Sequence, residues 1–178
     1  MNPAFFEREP SAADRERWRS QVAAEPPSAS HEGQLALFVF RVGGERFGIE
    51  PAHVELAAPL PGIHSIPHRG VSVAGVVNVR GTVTLCFSLA DVLGSSSGPD
   101  MDRPMLLVLA HRGWRVACRV DEAEGMASFV QSGLQPPPVT LQAAGRAHVR
   151  GIFESETGPG VGWLDVDSLF GAFDAAAR

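Results

Sequence analysis

Apolar residues are scattered through the first 33 positions and then fall into alternation. From Leu35, residues Leu35, Leu37 and Val39 share one face and Phe38, Phe40 and Val42 the other. That pattern predicts a strand buried on both sides. Gly43-Gly44 turns the chain, and Arg46-Phe47-Gly48-Ile49 returns it as the second arm of a hairpin. Pro51 to Ala57 predicts a short helical turn, and Leu60-Pro61-Gly62 and Ile66-Pro67 mark a loop. Val73 to Val79 and Thr82 to Leu89 predict two further strands around the turn Asn78-Val79-Arg80-Gly81. Asp91-Val92-Leu93-Gly94 closes the unit as a short helix with a glycine stop.

The same grammar then recurs. Met105 to Ala110 and Trp114 to Val120 flank the turn Arg112-Gly113, and Asp121 to Met126 reads as a turn. Pro136-Pro137-Pro138 is a rigid loop. Ala147 to Phe153 and Val161 to Val166 are strands, and Asp167-Ser168-Leu169-Phe170-Gly171 repeats the closing device of Ala90 to Gly94. Two halves, each of about five short strands, predict a mainly all-β chain of two small barrels. The domain reading is an extension over 1–33 and one domain over 34–173. Its barrels would span about 34–94 and 101–173, with Ser95 to Asp100 as the linker between them.

The first 33 residues are rich in alanine, proline, glutamate and arginine. Ser11 with Asp14 can cap a helix to about Ala24, with Trp18 and Val22 on one side, ended by Glu25-Pro26-Pro27-Ser28. A frayed tail and a partner-docking helix both fit this segment.

Composition narrows the chemistry. The 178 residues carry a net charge of −5, and lysine and tyrosine are both absent, so all 15 cations are arginine. This removes Schiff-base lysine, phosphate-loop lysine and phenolic chemistry. The charge is −2 over residues 1–33, 0 over 34–94 and −3 over 95–178, and no arginine run forms a basic stripe. A dedicated nucleic-acid or anionic-membrane surface is therefore not expected. Cys86 and Cys118 sit in apolar stretches and read as buried reduced thiols. Met1 to Glu9 is polar and acidic, unlike a secretion signal, and no apolar run approaches a membrane span. A soluble cytoplasmic protein is the expectation.

Catalytic motifs do not survive their context. Gly94-Ser95-Ser96-Ser97-Gly98 satisfies G-x-S-x-G, but it follows a helix end and runs into Pro99, not from a strand into a helix. A small hydrolase using Ser96 is thus a weak rival. His64 and His68 share a face only on a helix, and Pro67 stands between them. No metal, cofactor or catalytic residue is predicted, and the chain reads as a non-enzyme. The Asn78 turn has a structural explanation of its own, since asparagine and glycine tolerate positive φ.

Its setting adds to that. Phe38 to Gly94 resembles CheW, the coupling protein family of bacterial chemosensory arrays. The likeness runs through Phe47-Gly48-Ile49, Val54, Ile66-Pro67 and then Gly75-Val76-Val77-Asn78-Val79-Arg80-Gly81, which matches the family's G-V-x-N-x-R-G. Leu89 and Asp91 to Gly94 follow at the family's spacing. Weaker matches at Arg119-Val120-Asp121, Arg150-Gly151 and Leu164-Asp165 extend it over about residues 35–173. The resemblance implies two side-by-side five-stranded SH3-like barrels. It also implies a non-catalytic adaptor joining the cytoplasmic tip of a methyl-accepting chemoreceptor to the regulatory domain of a CheA-type histidine kinase. Such an adaptor is cytoplasmic and recruited to membrane receptor arrays.

Val54, Leu56, Gly75, Asn78 and Arg80 fall on the expected receptor-contact positions, with Gly81 as the structural turn residue. The kinase contact would come mainly from the second barrel. The family usually carries glutamate where Leu56 stands, with Glu55 one place earlier here, so Arg80 is expected to lack its usual acidic neighbour. The strand Thr84-Leu85-Cys86-Phe87-Ser88-Leu89 departs from the family's proline and aspartate. With the N-terminal extension, these departures resemble the CheW-like subunits of specialised arrays, of which the Wsp-type surface-sensing pathway is the preferred example. An acidic SH3- or OB-like barrel binding nucleic acid is the rival from another class, and it requires aromatics and arginines on one strand face. A kinase- or CheV-type relative would add a kinase or receiver region, which the sequence to Arg178 lacks.

Overall fold

A computed structural model describes residues 33–67, 70–95, 104–137, 143–154 and 158–178. The N-terminal segment, Ser96 and the rest of the linker after Ser95, and Pro138 lie outside the described residues.

Three two-residue turns set the hairpins. Gln34–Val42 (β1) and Glu45–Ile49 (β2) join through Gly43 and Gly44, both at positive φ. Val73–Val79 (β4) and Thr82–Ser88 (β5) join through Arg80 (φ 52°) and Gly81 (φ 86°). Met105–His111 (β6) and Trp114–Val120 (β7) join through Arg112 (φ 48°) and Gly113 (φ 81°). Two consecutive positive-φ residues make a turn whose twist matches that of the flanking strands. The remaining strands are Val54–Pro59 (β3), Glu122–Val130 (β8), Leu134–Gln135 (β9), Val149–Phe153 (β10) and Val161–Leu164 (β11).

The sheets do not follow the two halves of the sequence. One has the order β8-β1-β2-β11-β10-β9 and the other β3-β6-β7-β5-β4. The first hairpin thus pairs with strands from the end of the chain, through β1 with β8 and through β2 parallel to β11. The division into 34–94 and 101–173 is corrected accordingly. Alternation reveals that a strand has two buried faces, but not which later strand lies beside it.

Three apolar cores result. Leu37, Phe153 and Trp163, with Leu35, Phe129 and Leu134 against them, fill the six-stranded sheet. Val77, Val79, Cys86, Leu106, Val108 and Ala117 fill the five-stranded one. The largest core lies between the sheets, where Phe40, Val42, Phe47 and Ile49 meet Phe87, Leu107, Leu109 and Cys118. The continuous run in β6 is explained by this arrangement: Leu106 and Val108 face one core, Leu107 and Leu109 the other.

Helices cover the shared core. In Leu89–Leu93 (α1), the Ser88 hydroxyl accepts from the Asp91 N–H at 3.3 Å, and Gly94 ends the helix in the left-handed conformation. Ala143–Arg146 (α2) is a single turn. Val166–Ala177 (α3) begins where the Asp165 carboxylate accepts from the Ser168 N–H at 3.1 Å. It runs past Gly171, so the second closing device is not a stop. Phe170 and Phe173 carry the apolar stripe onward into the shared core, and Ala175 to Ala177 favour helix.

Two further expectations change. Only Pro51–His53 forms a 3-10 turn, and Val54 to Ala57 belong to β3. Asp121 to Met126 is not a turn, because Glu122–Val130 forms β8 along β1. Its inward positions Ala123, Gly125 and Ala127 are small, which conceals the alternation, and Gly125 (φ 101°) lies at a shift in its register with β1.

Candidate functional site

The β4–β5 hairpin is built as a rigid projection. Val77 and Val79 point into the core of the five-stranded sheet, while Asn78 and Arg80 are exposed. The Asn78 Oδ1 accepts from the Gly81 N–H at 2.8 Å, closing the turn from within. This side-chain bond stabilises the left-handed conformation that Arg80, a non-glycine residue, must adopt at a cost of about 1 kcal/mol. Among the described residues Arg80 has no ion-pair partner. On the same outward face, the exposed Val83 pairs with Asn78, and Leu85 pairs with Val76. Leu85 reaches the shared core, so an apolar row runs from that core to the hairpin tip.

Gly75 belongs beneath this surface. It is buried at φ 147°, beside a register shift between Val73 and Gly75. A side chain there would collide with the His64 carbonyl oxygen and stand 2.9 Å from the Ile63 Cγ2. The cause is a two-way backbone bridge: His64 N–H donates to the Val76 carbonyl and Val76 N–H to the His64 carbonyl, both at 2.9 Å. Gly75 therefore lets the β3–β4 connection lie against β4.

Val54 and Leu56 would share a face on a regular strand. A register shift between them makes Glu55 a bulged residue, so Val54 packs on the shared core and Leu56 on the core of the five-stranded sheet. Glu55 is turned outward, where its carboxylate accepts from the Arg115 Nε at 2.5 Å. Arg115 Nη1 also donates to the Thr84 hydroxyl at 3.3 Å, and Thr84 is the buried polar residue among those described. Arg115 shares the inward phase of Ala117 on β7, so it caps that core with a charge whose acid is Glu55.

The sequence-derived set thus divides three ways. Asn78, Arg80 and Gly81 share one turn. Leu56 shares a core with the strand below them, while Gly75 acts through its backbone and Val54 lies on the other core. The trio Glu55, Arg115 and Thr84 was missed, along with Val83. An arginine two positions before Ala117 on an apolar strand is the available signal, since a cation in that phase needs a partner.

Electrostatics make the thiols inert. Burial pushes the Cys86 thiol up to about 11 against the opposing influence of Arg119, and burial raises Cys118 well above the ordinary thiol value. Both are free and buried, as read from the sequence, and they face opposite sides of their sheet.

Comparison with known proteins agrees with this architecture. Residues 36–173 match the profile of the CheW-like domain. A probable chemotaxis protein CheW of Rhizobium etli is 26% identical over 122 residues, covering 68% of this chain and 79% of the relative. The chemotaxis protein CheW of Rhizobium meliloti is 25% identical over 138 residues, covering 78% and 88%. Among solved structures, the scaffolding protein TtCheW from Thermoanaerobacter tengcongensis aligns with a TM-score of 0.68 at 18% identity. That alignment covers 82% of this chain and 94% of TtCheW, and establishes the fold as the mainly β, two-barrel SH3-like one. The class is that of chemotaxis scaffold and adaptor proteins. The chain belongs to the CheW-like domain family.

Proposed function

We propose that this chain is a non-catalytic adaptor coupling the cytoplasmic tip of a methyl-accepting chemoreceptor to the regulatory domain of a CheA-type histidine kinase. One observation carries the reading: Arg80 is presented on a turn locked by Asn78, exposed and without an ion-pair partner among the described residues, at the end of an apolar row. An apolar centre with a polar rim is the form a specific protein contact takes. Asn78, Arg80 and the added Val83 would touch the receptor directly. Leu56 and Val54 would support the surface from below, and Gly75 would hold the backbone that shapes it. The kinase contact is assigned to the other part of the fold on family resemblance.

Each contact can be weak, because repetition within an array raises effective concentration. Among the described residues no helix is long and apolar enough to cross a membrane. The family resemblance supports a cytoplasmic adaptor that meets the membrane through the receptor. Co-sedimentation with receptor-enriched membranes tests the reading. Arg80→Glu should lower recovery about tenfold, equivalent to roughly 1.4 kcal/mol, with an unchanged thermal transition. Unaltered recovery overturns it.

A further inference from the structure

The row that holds Asn78 and Val83 continues beyond β5. Strands β5 and β7 run parallel with Cys86 beside Ala117, and the same register carried back three residues sets Val83 beside Trp114. The hydrogen bond from Arg115 to Thr84 at 3.3 Å fits that register, since those residues are the next pair along. Trp114 in turn pairs with His111 on β6. All of them lie on one face: Leu85, Val116 and Leu109, each two positions away along its strand, face the shared core. Asn78, Val83, Trp114 and His111 therefore cross four strands in one line. Within it Val83 and Trp114 are large apolar side chains left 72% and 44% exposed. Contiguous exposed apolar groups mark an interaction surface, where scattered ones do not.

The line ends against α3. The His111 and Phe170 rings lie 5.3 Å apart, and between Trp114 and the helix is a recess of about 450 Å³ that Gly171 also lines. A Cβ at Gly171 would meet nothing within 4 Å, so no neighbour among the described residues requires glycine there. Glycine is a poor helix former, and its effect at this place is to keep the recess open. On the rim, Arg112 pairs with Asp167 at 2.9 Å and Arg178 with Asp174 at 2.6 Å. These four side chains sum to zero charge, so the recess selects by shape and apolarity, not by sign.

We infer that the receptor contact continues along this line into the recess, with Trp114 as its apolar anchor and one face of a receptor-tip helix as the occupant. The inference rests on the receptor reading and extends that same site from the β4–β5 turn to α3. Strands lie about 4.8 Å apart, so Val83, Trp114 and the recess beyond follow one another at about that step. Residues i, i+3 and i+7 of a helix rise by about 4.5 and 10.5 Å, close to one and two strand spacings. Alternate residues of an extended segment step by about 6.7 Å and fall out of phase. A helix lying across the strands thus sets one apolar side chain on Val83 and a larger one between Trp114 and Phe170.

Co-sedimentation of the full chain with receptor-enriched membranes tests this. Trp114→Ala should lower recovery about tenfold, as loss of an aromatic anchor does, and Trp114→Phe should restore most of it. Gly171→Leu fills the recess from the helix side. It should lower recovery about as far while its Tm equals or exceeds that of the parent chain, because leucine is the better helix former. That combination separates occlusion from misfolding, and it decides the matter if Trp114→Ala does not fold. The loss in Trp114→Ala should be the same at about 50 and about 500 mM salt, since an apolar contact is not screened. A loss that disappears at high salt overturns the apolar occupant. If Arg80→Glu lowers recovery while Trp114→Ala and Gly171→Leu do not, the receptor reading stands and its extension into the recess is overturned. If none of the three lowers recovery, the receptor reading falls as well.

Discussion

Replacing Gly75 by alanine separates a backbone role from a contact role at the same position. The added Cβ would collide with the His64 carbonyl oxygen and crowd the Ile63 Cγ2 at 2.9 Å. Backbone cannot yield as a flexible side chain does, so the β3–β4 connection must lift from β4. Two hydrogen bonds of the His64–Val76 bridge are then lost, each contributing about 1 kcal/mol net. Alanine at φ 147° adds about 1–2 kcal/mol of conformational cost, and the reduced freedom of the unfolded chain returns about 0.4–1 kcal/mol. The net expectation is a loss of about 2–3.6 kcal/mol, which for a domain of this size lowers Tm by roughly 4–14 °C. Urea and thermal denaturation of Gly75→Ala against the parent chain measure it. Receptor co-sedimentation should fall only in proportion to the folded fraction. A variant with parental stability but lost receptor binding would refute the argument and make Gly75 a surface contact.

Three other outcomes are expected. Arg115→Ala leaves the buried Thr84 hydroxyl without its guanidinium donor and Glu55 without its cation; urea denaturation should show a loss of about 1–2 kcal/mol, and an unchanged midpoint refutes the capping role. Native Cys86 and Cys118 should not react with a thiol-disulfide reagent near pH 8, since burial raises both thiols, and should react fully in denaturant; fast native labelling contradicts this. Burial lowers the His148 pKa in spite of Asp165, so the folded state disfavours its proton. Its contribution to stability is full above the ordinary value of 6.5 and is lost as pH falls from there toward the folded pKa. His148→Gln should flatten that part of a stability–pH profile, and an unchanged slope below pH 6.5 argues against it.

Local structure was legible where backbone chemistry is decided within a few residues. Gly43-Gly44, Arg80-Gly81 and Arg112-Gly113 are positive-φ pairs that fold the same way in any sheet. Gly94 likewise ends α1 from within its own segment, while the strand expected to reach Leu89 stops at Ser88, which caps that helix. β8 was not legible, because Ala123, Gly125 and Ala127 gain their inward orientation only from β1 lying alongside. The candidate site follows the same division. The Asn78 turn could be read in advance, since its closing bond spans three residues. The Glu55–Arg115 pair could not, since its partners stand 60 residues apart and meet only through the Val54–Leu56 bulge.

The crossed topology bears on how an adaptor works. Read along the sequence, the linker after Gly94 looks like a hinge between two barrels that could tilt independently. In the structure, β1 and β2 cross back to join strands from the end of the chain, and the shared core takes side chains from both sheets and from α3. Tilting one sheet against the other would open that core, exposing groups such as Phe40, Phe47, Phe87 and Phe173, all at most 2% exposed. Each such side chain contributes about 1.5–3 kcal/mol by its burial, so a hinge motion would cost an amount comparable to global unfolding. Surfaces on the two barrels are therefore held at a fixed spacing. A coupling protein with that property transmits a displacement at one contact to the other as a rigid body.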